Sequence, residues 1–272
     1  MKNIREPAVA GMFYPSSPRE LKEQINLLLE STHSDEIFEN PFGIISPHAG
    51  YVYSGKTAAH AYNTICGKNF STVVIISPSH REYFPGVSIY NGDAYRTPLG
   101  DVYLNKEMIS QLSENSKLIF EGMNGHRAEH AVEVQIPFLQ MVLNEFQIVP
   151  IVVGDQRKLF VNDLAEKLAA VVDANTLVVA SSDLSHFHTK QEADILDSIV
   201  EERIEKFEYE KLLYDLETEK CEACGGGPIV AMMKTADLKN KKKSKILSRS
   251  DSGDITGDNS EVVGYLSAVI YS

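Results

Sequence analysis

Four short, evenly apolar runs constrain the architecture most: GIISP at 43–47, TVVIISP at 72–78, QIVPIVVG at 147–154 and NTLVVASSD at 175–183. None alternates apolar with polar residues as a strand with one wet face would. Each therefore predicts a strand buried on both sides, as in a largely parallel sheet covered by helices. The stretches between them have helical patterns: SGKTAAHAYNTI with Ser54 as N-cap, DLAEKLAAVV from Asp163, and a charged run from Lys190 to Phe207. Strand, helix, strand is the βαβ unit. Residues 87–105 predict a hairpin region and the terminal EVVGYLSAVIYS a last strand, which make the sheet mixed. No repeat, low-complexity tract or Pro/Gly/Ser linker divides the 272 residues, so the expectation is one α/β domain over 1–272.

The net charge of −12 argues against nucleic acid or an anionic membrane as the main partner. The one basic cluster, KNKKKSK at 239–245, reads as a solvated loop tip. No apolar run reaches the roughly twenty residues of a membrane helix, and the N-terminal stretch has no signal-peptide core, so a cytoplasmic protein is expected. The 3 cysteines, Cys66, Cys221 and Cys224, make no disulfide framework and are expected as free thiols.

In an open α/β sheet, ligands gather beyond the carboxyl ends of the strands. Two of the apolar runs end in Ser-Pro and then deliver a histidine, His48 and His80, onto loops whose freedom proline limits. A third ends in Asp183, Ser185, His186 and His188. Neutral imidazoles on separate rigid loops suit a metal ion, which then needs another ligand. Asp183 and Glu133 are the carboxylate candidates, and Cys224, in CEACGGGP, is the thiolate candidate. Two histidines and a carboxylate would be the facial triad of non-haem iron, whereas a thiolate softens the site toward iron, zinc or copper.

Two other motifs compete. Cys221 and Cys224 form C-x-x-C before the apolar helix GPIVAMMKTA, whose start would lower the Cys224 pKa. HRAEH at 126–130 fits the H-x-x-E-H pattern of inverted zincin peptidases, with Glu129 as base. The preceding Asn-Gly places a helix start near Glu129, however, which takes His126 off the helix and leaves His130 and Glu133 facing a site built elsewhere.

Long motifs in order, REPAVAGMFYP, ISPHAGYVYSG, SPSH, TPLGDV, EHAVEVQIPFL, SSDLSHFH, ACGGGP and SGDITGDNSEVVGY, closely resemble the Memo family over nearly the whole chain. The family's fold is similar to that of class III extradiol dioxygenases, iron(II) enzymes that open catechol rings with a mixed sheet flanked by helices. By that resemblance His48 and His80 match the metal-binding histidines, Cys224 stands where the dioxygenases use a glutamate, and His186 matches their acid/base histidine. Asp183 and His130 would line the same pocket. The resemblance also implies a small-molecule or peptide ligand, and radical SAM and AMMECR-type proteins as partners of microbial members.

Two classes of function follow as expectations. One is a metal-dependent redox or oxygenase-like enzyme, with Fe(II) at His48, His80 and Cys224, Zn or Cu as alternatives, and His186, His130 and Asp183 as the catalytic set. The other is a non-catalytic binding or adaptor protein that reuses a dioxygenase-like pocket for a peptide or protein. The inverted zincin is a minor third.

Overall fold

The computed structural model describes residues 3–272. Its strands are β1 (Ile4–Arg5), β2 (Gly43–Ser46), β3 (Thr72–Pro78), β4 (Val87–Tyr90), β5 (Ala94–Thr97) and β6 (Gly100–Tyr103). They continue as β7 (Ile119–Gly122), β8 (Gln147–Val153), β9 (Thr176–Ser181), β10 (His186–His188), β11 (Lys243–Asp251) and β12 (Val262–Tyr271). The main sheet runs β10-β12-β2-β9-β3-β8-β4-β7, with β11 along the other side of β12. β2, β9, β3 and β8 are mutually parallel, while β12 and β4 join antiparallel on either side of that centre. Every residue of β2, β3 and β9 is buried, as the unbroken apolar runs predict. Helices Lys158–Val171 and Gly226–Leu238 pack together, the second of them lying over β9 and β3, and helix Tyr51–Asn63 covers β2, β11 and β12.

Several local expectations shift. The helix expected from Ser54 starts at Tyr51 after Gly50, and the buried Ser54 hydroxyl donates to the Ala49 carbonyl. The helix expected from Asp163 starts at Lys158. Only β5 and β6 of the 87–105 region form the hairpin, in a small sheet with β1, while β4 enters the main sheet. Ser-Pro ends β2 at Ser46, but β3 keeps its register on β8 through Pro78. The basic cluster is a loop tip only in part, because from Lys243 onward it belongs to β11. β11 is rich in Lys, Ser and Arg and is half-exposed along its length, so it carries no apolar signal.

A buried cation ties the N-terminus to the segment that approaches the candidate site. The Arg5 guanidinium donates to the His126 carbonyl at 2.7 Å, to the Glu133 carboxylate at 2.6 Å and to the Glu129 carbonyl. Glu133 also accepts from the Ala8 and Val9 amides and the Tyr14 hydroxyl. Its lone pairs are thus occupied, which removes Glu133 from the candidate metal ligands. No helix starts at Glu129: a 3-10 turn, Glu133–Gln135, leads into helix Ile136–Val142.

His126 is likewise a core residue. Its Nε2–H donates to the Ser88 carbonyl at 3.2 Å and its Nδ1 accepts from the Tyr95 hydroxyl at 2.7 Å, so it shares no metal with His130 and the zincin arrangement does not form. Burial, partly opposed by the Ser88 carbonyl, pushes its pKa from 6.5 down to about 3.

Two stability predictions follow from these buried groups. Arg5→Met strands the Glu133 carboxylate and should cost about 3–5 kcal/mol in denaturant unfolding, with part of that loss recovered in Arg5→Met/Glu133→Met. A loss within about 0.5 kcal/mol, the range of an ordinary surface change, would count against the buried pair. The unfolded chain protonates at the ordinary histidine value and the folded chain far below it. The His126 contribution is therefore complete above pH 6.5 and is lost as pH falls toward about 3. His126→Gln should flatten the unfolding free energy across that window by up to about 1.4 kcal/mol per pH unit; an unchanged slope would place the titration elsewhere.

Candidate metal centre

β2 and β3 flank β9 in the sheet, so the loops carrying His48, His80 and Asp183 leave the carboxyl ends of three adjacent parallel strands. The ligand atoms of His48, His80 and Cys224 lie within 4.8 Å of one another, and those of His80, Glu129 and His130 form a second such group.

The tautomer of His48 follows from counting donors. The Ser181 hydroxyl has one hydrogen, which goes to the Ala131 carbonyl at 2.7 Å. Gln135 Nε2, a donor only, points at the same oxygen at 2.8 Å. The remaining neighbour, His48 Nδ1 at 2.9 Å, must therefore donate as well. That leaves the lone pair of His48 on Nε2, 3.2 Å from Cys224 Sγ. Gln135 is fixed in turn by the Tyr62 hydroxyl on its Oε1 at 2.6 Å and by the Pro47 carbonyl on its Nε2 at 3.0 Å. Burial first, then the neighbouring imidazoles of His80, His130 and His186, hold the His48 pKa well below the ordinary value. The ring is a neutral donor, as a metal requires.

His80 is oriented by a carboxylate. Glu129 accepts its backbone N–H at 2.6 Å and its Nδ1 at 2.9 Å, and also takes the His130 and Ala131 amides. Burial pushes the Glu129 pKa up, but the bonds to His80 and the Ala131 amide outweigh it and hold it at about 2. With Nδ1 engaged, Nε2 is the atom left for a ligand. A carboxylate behind a metal-binding histidine fixes the ring and raises its basicity. Sequence reading weighed Glu129 only as a peptidase base, and missed Ser181 and Gln135. Their signal was a polar residue inside an otherwise apolar run.

Cys224 reaches the centre because Gly225 packs directly behind it. A Cβ on Gly225 would lie 2.3 Å from the Ser181 carbonyl. The Cys224 amide donates to the Asp183 carbonyl and the Asp183 amide to Sγ, each at 3.2 Å. The expected lowering of the thiol pKa is overturned: burial, then the charge of Asp183, pushes it up. The helix starts only at Gly226, too far along to offset them. Cys221 is buried and burial raises its pKa to about 11, so neither thiol is activated for disulfide exchange. Cys66, Cys221 and Cys224 are all free.

Above these groups opens a cavity of about 610 Å³, lined at its base by His48, His80, His130, His186 and Asp183. His130 stacks on His80 with ring centroids 5.0 Å apart and meets the edge of Phe13 at 4.8 Å. Burial, partly offset by Glu129, lowers its pKa to about 4. Asp183 takes the His48 amide at 2.7 Å on Oδ1, and burial raises its pKa. His186 donates Nδ1–H to the Leu184 carbonyl at 2.8 Å, leaving Nε2 open. His188 binds Glu222 outside the cavity, and Ser185 lies in the core with its amide on Asp197. The donor set fits one ion: both rings present Nε2, and the 3.2 Å between His48 Nε2 and Sγ suits two donors about 2.0 and 2.3 Å from a shared metal.

The chain is 40% identical over 275 residues to a MEMO1 family protein of Thermoplasma volcanium, covering 98% of both. It is 37% identical to one of Methanocaldococcus jannaschii, covering 99% of this chain and 100% of that protein. A crystal structure of an uncharacterized protein from Escherichia coli K12 superposes with a TM-score of 0.55 at 14% identity, over 84% of this chain and 98% of that one, a likeness of fold alone. The family profile described as Memo-like protein matches residues 5–269, and the chain belongs to that family.

Proposed function

We propose that this protein is a mononuclear transition-metal oxidoreductase of oxygenase-like type, with His48, His80 and Cys224 as ligands and Fe(II) as the ion, Zn or Cu being the alternatives a thiolate allows. The observation that carries it is the pair of rings with each Nδ1 occupied, by Ser181 or Glu129, so that both Nε2 atoms and Cys224 Sγ converge. Bound there, the ion would supply Lewis-acid and one-electron chemistry to a ligand in its open positions. His186 Nε2, freed by the Nδ1 bond to Leu184, accepts a proton from the ligand or returns one. Asp183 fixes the His48 loop through the amide, and neutral His130 offers a hydrogen bond from its stack on His80. Phe13, packed on His130, helps exclude water from the base.

Cobalt titration tests the ligand set. Co(II) added to the metal-free protein should produce a thiolate-to-cobalt absorption in the near ultraviolet, absent in Cys224→Ser, and His80→Ala should bind no stoichiometric metal. An unchanged spectrum in Cys224→Ser would remove the thiolate from the site. The supporting bonds make a separate prediction. Ser181→Ala frees the His48 tautomer and should weaken metal binding by about 10–100-fold, as loss of such a partner typically does. Equal affinity in the variant and its parent, measured by chelator competition, would show that Ser181 does not orient the ring.

A further inference from the structure

The outer part of the cavity is built from different residues and has its own chemistry. Met12, Tyr53 and Phe187 form an apolar lip, with Met12 and Phe187 each 72% exposed. Phe187 sits between His186 and His188 at φ 61, in the left-handed region that is unfavourable for a non-glycine residue. The register of β10 on β12 shifts at that point. The chain thus holds a phenyl ring open to solvent in an unfavourable backbone conformation, beside the proton-accepting imidazole.

The same cavity is lined by the connection 252–261 between β11 and β12, which brings the exposed Asp258 and Glu261 to it. This wall is fastened in place: the Asp251 and Asp254 amides bond each other's carboxylates, and Lys190 binds both side chains. One oxygen of Asp258 accepts from the Ser260 amide and hydroxyl, which orients the carboxylate. Neither Asp258 nor Glu261 has an ion-pair partner among the described residues. Among the described residues, no lysine or arginine lines the cavity there.

We infer that the cavity takes a small organic cation with a planar apolar body, the ring lying on Phe187 and Tyr53 and the ammonium or amidinium group meeting Asp258 and Glu261. A carboxylate or phosphate in the same place would meet the like charge of Asp258 and Glu261, and two acidic groups at the mouth raise the local concentration of cations. The inference rests on and deepens the metal-site reading, since the ligand would extend over His48 and His80 at the base of the same cavity. The charge preference itself is carried by the outer walls.

Three probes that share a phenyl ring and differ in charge test it on the full-length protein: phenethylamine, 2-phenylethanol and hydrocinnamate, titrated by calorimetry at low and moderate salt. Phenethylamine should bind about tenfold or more tighter than hydrocinnamate, with the gap shrinking as salt screens the rim. The gap should collapse in Asp258→Asn/Glu261→Gln. Phe187→Gly should weaken all three probes while leaving the melting temperature equal or higher, because it relieves the left-handed strain; a purely structural phenylalanine would lower it. Equal or tighter binding of hydrocinnamate, an unchanged gap in the double variant, or no binding of any probe would each overturn the inference. His80→Ala separates the two readings: loss of metal with the charge preference intact supports the rim alone, and a parent without metal that still prefers phenethylamine would sink only the metal reading.

Discussion

The guanidinium of Arg5 is the constraint on which the site's geometry depends. It is buried against Glu133 and holds two carbonyls of the segment 126–133, and its Cζ lies 4.7 Å from the Tyr95 ring centre. A buried charge is tolerable only when its hydrogen bonds are complete, so the segment has little freedom to move away. From that one segment and the turn after it come Glu129, which orients His80, His130, which lines the cavity, and Gln135, which fixes Ser181 behind His48. The motif at the N-terminus and the motif around residue 130 are two halves of one buried network.

Both rings of the candidate centre, His48 and His80, are governed in the same way from different sides. One is held by a carboxylate and the other by a hydroxyl whose single hydrogen is already given away. The difference matters electrostatically. Glu129 brings negative charge to Nδ1 of His80, while Nδ1 of His48 meets the neutral Ser181 hydroxyl and the ring is kept uncharged by burial and by the imidazoles around it. Asp183, beside Cys224, adds negative charge where a cation would sit and raises the thiol's proton affinity in the cation's absence. An ion at this point would offset both costs at once.

The inner and outer parts of the cavity draw on opposite kinds of order. At the base, polar atoms are satisfied by bonds that cross the fold. At the mouth, Phe187 and Met12 remain exposed and Phe187 keeps a strained backbone. Local strain and unburied apolar area are tolerated where the surrounding structure fixes them, and here the stapled 252–261 connection and the short β10–β12 pairing do so.

Much was legible in the sequence because it is carried by local pattern. Even apolar runs marked the strands buried on both faces, and the Ser-Pro in two of them put His48 and His80 just beyond the strands' carboxyl ends, although β3 itself runs on through Pro78. Resemblance added His186, Asp183, His130 and Cys224; the first three line one cavity with His48 and His80, and Cys224 Sγ lies within 4.8 Å of the ligand atoms of those two rings. What local pattern does not contain is pairing between distant residues. Glu133 reads as a ligand until Arg5, 128 residues away, occupies it, and His126 reads as a zincin ligand until Tyr95 and Ser88 enclose it. Strand order decides the rest: β9 lies between β2 and β3 although it follows both in the chain, and only that crossing brings Ser181 and Asp183 against His48. The sequence determined which residues could be ligands, through burial and backbone limits; the tertiary structure decided which nitrogen each ring presents, because that depends on bonds made by groups far away in the chain.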